Sequence, residues 1–65
     1  MPLIRISHAT TQDADQKREV IRAVTEAYAK STSSDPAKVW VLLEELPRED
    51  WGTGGVPLAD RDVRP

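Results

Sequence analysis

Residues 39–45 read Val-Trp-Val-Leu-Leu-Glu-Glu, and this stretch decides the fold. It is short and rich in β-branched and aromatic side chains, which suits a strand better than a helix. Pleating sends Val39, Val41 and Leu43 to one face and Trp40, Leu42 and Glu44 to the other. A strand that is apolar on both faces is one that expects cover on both. Near the start of the chain a second run, Leu3-Ile4-Arg5-Ile6-Ser7, has the same character. It predicts a partner strand.

Between the two runs the period changes. Asp13 followed by Gln16 reads as a capping box, with the carboxylate accepting from the Gln16 amide and the glutamine reaching back. A helix is predicted over 14–31. Val20, Ile21, Val24, Ala27 and Tyr28 form its apolar stripe, and Lys17, Arg18, Glu19, Arg22 and Glu26 cover the rest. Glu19 with Arg22 and Glu26 with Lys30 are expected ion pairs at helix spacing. The run Ser31 to Ser34 ends the helix, and Asp35-Pro36 predicts a cap followed by a short turn. Strand, helix and strand make a β-α-β unit of the α/β class, with parallel strands and a right-handed crossover. After residue 46 the chain is rich in glycine and proline, and a short hairpin is expected around Gly52 to Gly55.

Sixty-five residues make one domain, 1–65, and a chain of this size needs a staple. There is no cysteine, and His8 is the single histidine, so neither a disulfide nor a metal site is predicted. Oligomerisation is the staple left. One helix covers one face of a two-stranded sheet whose strands are apolar on both, so the other face calls for a second subunit. A symmetric homo-oligomer is therefore expected. With a formal net charge of −2 and scattered Lys and Arg, nucleic acid is not an expected partner. No apolar run has the length of a membrane span and no signal peptide is legible, which makes the cytoplasm the expected location and a membrane an unexpected partner.

Pro2 follows Met1 directly, and two readings of it compete. In one, proline only removes a backbone donor at a strand edge. In the other, Met1 is excised and Pro2 becomes a terminal secondary amine at the start of a buried strand. Ordinary α-amino groups titrate at about 7.7–8.0. Desolvation or a neighbouring cation favours the neutral form, which is a competent proton shuttle near pH 7. If Met1 stays, the same nitrogen is an amide with no basic lone pair.

Pro2 after Met1, an apolar strand, Asp15-Gln16-Lys17 opening a helix, a second apolar strand and Trp51-Gly52-Thr53-Gly54-Gly55 behind it together resemble the 4-oxalocrotonate tautomerase family. The resemblance covers nearly the whole chain. It implies a β-α-β protomer, a homohexamer built as a trimer of dimers, no cofactor, a small enol or 2-oxo acid substrate, and Pro2 as the general base of a keto–enol tautomerisation. Family members that process dicarboxylates carry an arginine before the helix and another in the second strand; these positions are Gln12 and Trp40 here. Neither reproduces the bidentate grip of a guanidinium on a carboxylate. The family's aromatic wall before the glycines falls on Trp51. The implied pocket is therefore more apolar, fitting an aromatic or monocarboxylate enol such as an arylpyruvate. Trp40, Trp51, Gln12 and Arg5 are the candidate substrate-binding residues, and His8 and Arg61 are further polar groups that assembly could bring near. Two alternatives stand beside the tautomerase. One is a hydratase or dehalogenase of the same superfamily, whose members place a glutamate where this chain has Thr53. The other is a non-catalytic oligomeric protein.

Overall fold

A computed structural model describes residues 2–61. Strand β1 spans Leu3–His8, helix α1 Ala14–Thr32 and strand β2 Trp40–Glu45. A two-stranded hairpin follows, β3 (Gly52–Thr53) and β4 (Val56–Pro57), and then a single helical turn, α2 (Leu58–Arg61). The expected β-α-β unit is present, with β1 and β2 parallel and Leu3 level with Trp40, Arg5 with Leu42 and Ser7 with Glu44. Two further bonds extend the ladder: Trp40 N–H donates to the Pro2 carbonyl at 3.0 Å and Leu46 N–H to the His8 carbonyl at 2.8 Å.

The capping box forms as its residues require. The Gln16 amide donates to the Asp13 carboxylate at 2.8 Å, and the Asp13 amide donates to the Gln16 side chain at 2.9 Å. The helix ends on Ser33 in the left-handed conformation, and Asp35 caps a 3-10 turn over Pro36–Lys38 by accepting from the Ala37 amide at 3.0 Å. On the outer surface Arg22 bridges Glu19 and Glu26. Glu26 therefore pairs one turn back, not forward to Lys30. The hydrogen bond and charge of Arg22 hold the exposed Glu19 carboxyl below the usual carboxylate range.

Val20, Val24 and Tyr28 of the predicted stripe are half-buried and Ala29 is buried, whereas Ala27 is exposed. The helix is rolled so that Thr25 and Ala29 flank the stripe in place of Ala27. Beneath it lie Ile4, Ile6, Val41 and Leu43, all half-buried. The other face of the sheet is bare: Leu3 is 56% exposed, Trp40 55% and Leu42 40%. Among the described residues Ala29 is the one apolar side chain that reaches the buried class, and none is fully enclosed. A two-stranded sheet is too narrow to shield even the helix stripe, so Ile21 stays 39% exposed. The radius of gyration is 15.3 Å, against about 11 Å for a compact chain of this length.

The elongation comes from the C-terminal arm. Its hairpin turns at Gly54 and Gly55, with φ of 63° and 84°, the sign pair of a type I′ turn. The arm folds onto its own approach segment: Leu58 N–H donates to the Trp51 carbonyl at 2.7 Å. A link to the body runs through Arg48, whose Nη1 donates to the Ala9 carbonyl at 3.1 Å. A methyl group on Gly55 would meet nothing within 4 Å, so its cost is the left-handed backbone alone. Gly55→Ala is expected to destabilise by about 1–2 kcal/mol in urea titrations. α2, absent from the sequence expectations, is one turn long and carries no period to detect.

Candidate active site

Pro2 is half-buried at the head of β1, and its carbonyl is fixed by the bond from Trp40 N–H. Strand alternation puts it on the side of Ile4 and Ile6. Trp40, level with Leu3, leaves on the bare face. The two residues are neighbours through the backbone, yet their side chains depart from opposite faces. Met1, whose removal would free the Pro2 nitrogen, lies outside the described residues.

Gln12 sits at the other end of β1, in the loop before the helix cap. The extended chain from Pro2 to Ala9 spans roughly 23 Å at 3.3 Å per residue, so Pro2 and Gln12 do not meet within one chain. Gln12 Oε1 is buried with no hydrogen-bond partner among the described residues, and so is His8 Nε2. The His8 ring is oriented by its other nitrogen, Nδ1, which donates to the Thr10 carbonyl at 2.8 Å and so carries the proton. Trp51 is half-buried in the arm, where its carbonyl anchors α2. Arg61 is exposed in α2.

Arg5 lies on the bare face, where its Nε meets Glu44 Oε1 at 3.1 Å. Glu44 and Glu45 point to opposite faces, and each has an assignment: Glu44 with Arg5, Glu45 accepting from Thr11 Oγ1 at 3.2 Å. Nothing in the local pattern marks the Arg5–Glu44 pair, because it depends on the register between two strands. No cluster of three His, Asp or Glu side chains suited to a metal ion exists among the described residues. A single chain forms no pocket around Pro2 from them either. Pro2 and Trp40 lie together at one end of the sheet, Gln12 at the other end of β1, and Trp51 in the arm.

This combination of a proline-headed strand, one helix, a parallel second strand and a glycine hairpin is matched by a family model described as a tautomerase enzyme, over residues 2–61. The chain belongs to the tautomerase family. A probable tautomerase of Halalkalibacterium halodurans is 31% identical over 61 residues, covering 94% of this chain and 100% of that one. A 2-hydroxymuconate tautomerase of Pseudomonas putida is 36% identical over 56 residues, covering 86% and 89%. Among solved structures, a heterohexamer 4-oxalocrotonate tautomerase from Chloroflexus aurantiacus superposes with a TM-score of 0.86 at 31% identity, covering 98% of this chain and 100% of that one. The resemblance to the 4-oxalocrotonate tautomerases thus holds in sequence and in fold, and this tautomerase is an isomerase. No helix among its described residues is long and apolar enough to cross a membrane.

Proposed function

We propose that this tautomerase converts a small enol or 2-oxo acid between its enol and keto forms, with the Pro2 nitrogen, freed by loss of Met1, as general base. The observation that carries the reading is the family match beginning at Pro2 itself, on a residue whose backbone the sheet holds in place. The nitrogen takes the proton of the enol hydroxyl, the O–H pair becomes the carbonyl π bond, and the displaced C=C pair takes a proton at carbon. Protons and electrons balance within substrate and base, so the step calls for no oxidant or reductant.

The active site in this reading is completed between copies. Bare apolar area, an extended arm and scattered pocket residues all favour an assembly, and a homohexamer arranged as a trimer of dimers is the form we propose. Gln12 donates its amide hydrogens to the substrate carboxylate, and the indoles of Trp40 and Trp51 wall the pocket. Arg5 is assigned to the assembly face, since Glu44 already holds its guanidinium. Thr53, exposed in β3, offers a hydroxyl and no carboxylate to activate water, which favours tautomerisation over hydration.

Without a cationic pair at positions 12 and 40, a second carboxylate on the substrate has no bidentate partner. Assayed side by side, an aryl enolpyruvate is expected to exceed 2-hydroxymuconate in kcat/KM by about tenfold, the worth of one good polar contact. Equal or faster turnover of the dicarboxylate would refute the assignment of Gln12 and Trp40. An intact-mass measurement short by one methionine is expected for the active protein.

A further inference from the structure

The bare face of the sheet has two halves. Leu3, Trp40 and Leu42 make one apolar, while Arg5, Ser7 and Glu44 make the other ionic. Arg5 stands level with Leu42 and Glu44 with Ser7, so the ion pair runs diagonally across the two strands. Ser7 Oγ approaches the same carboxylate oxygen at 3.5 Å. Among the described residues the face carries one cation and one anion, Arg5 and Glu44, and a two-fold axis passing between them would set each against the opposite charge of a second copy. A residue and its partner's counterpart then meet reciprocally.

The contact within the chain engages Nε of Arg5 and Oε1 of Glu44. The planar guanidinium has further donors on its terminal amino groups, and the second carboxylate oxygen, Oε2, lies outside this contact. Both side chains remain accessible, at 63% for Arg5 and 36% for Glu44. An exposed pair of this kind contributes little by itself. Covered by a second copy it becomes a desolvated network that tolerates one register and rejects faces with unmatched charge.

We propose that Arg5 and Glu44 bond reciprocally between copies of this chain, and that this exchange selects the partner and the register when the bare faces pack. The occupant of the face is a second copy, argued from its charge balance and from the apolar area beside it. This rests on the assembly stated above and goes beyond it by naming the pair that controls it.

The test is a charge exchange. Arg5→Glu leaves two carboxylates on the face and Glu44→Arg leaves two guanidiniums, so each variant alone repels its own copy. In native mass spectrometry each is expected to stay unassembled at a hundredfold the concentration at which the parent chain assembles. Mixed in equal amounts, they are expected to form oligomers that contain both chains. Variants that assemble alone as readily as the parent overturn the proposal. A mixture that fails to assemble also overturns it, and a doubly exchanged chain, Arg5→Glu with Glu44→Arg, that assembles in the same experiment then shows the pair to act within one chain. A parent chain that is monomeric removes the assembly on which both readings rest. Loss of tautomerase activity with assembly intact touches the catalytic reading alone.

Discussion

Pro2→Ala is expected to lower kcat/KM on an enol acid by at least about a hundredfold, the lower end of what a positioned general base contributes. Alanine also permits removal of Met1 and still presents an amine. What it loses is the ring that pins the nitrogen lone pair in one direction beside the strand. The oligomer is expected to stay intact, because the Pro2 carbonyl that accepts from Trp40 N–H is unchanged by the substitution. A companion variant extends the chain by one residue ahead of Pro2 and turns its nitrogen into an amide. An equal loss there attributes the effect to the lone pair and not to packing of the ring. Following the decay of enol absorbance checks both: a Pro2→Ala variant within threefold of the parent rate would exclude a need for the ring, and an extended variant within threefold would exclude the Pro2 nitrogen as the base.

Leu42→Lys is expected to separate the copies and unfold them together. The substitution sets an ammonium beside Arg5 on the bare face, and burying it against a partner without a counter-ion costs about 3 kcal/mol per copy. That is at least about a hundredfold in the concentration needed for assembly. Separation should cost the fold as well, because Ala29 is the single apolar side chain in the buried class among the described residues. Far-UV circular dichroism and sedimentation are expected to report loss of helix and loss of mass at the same protein concentration. A folded monomer would show that the β-α-β unit is stable without a partner.

Much of the fold was legible because its determinants are local. The capping box needs only Asp13 and Gln16, three positions apart, and both of its hydrogen bonds are present. The hairpin needs only two successive glycines able to take positive φ. The alternation in residues 39–45 encodes a strand whatever lies around it, and β2 occupies Trp40–Glu45 with Val39 ending the preceding turn. The roll of α1 was less legible: its apolar residues admit more than one centre, and only the narrow sheet beneath chooses Ala29 over Ala27. α2 has too few residues for any period.

The candidate site divides in the same way. Pro2 stood out from its place in the chain, and Gln12, Trp40 and Trp51 from the family resemblance. Their distances from one another could not be read, because each sits at the end of a different element. By itself, the sequence determined the order of strand, helix, strand and hairpin, together with the proline that heads it. Those features follow from backbone conformations settled within a few residues. Tertiary structure alone decided that Leu3 stands level with Trp40, that Arg5 reaches Glu44, and that Pro2 and Gln12 lie at opposite ends of β1. Register between strands distant in sequence depends on how side chains pack across the sheet, and that energy exists only once the chain has folded.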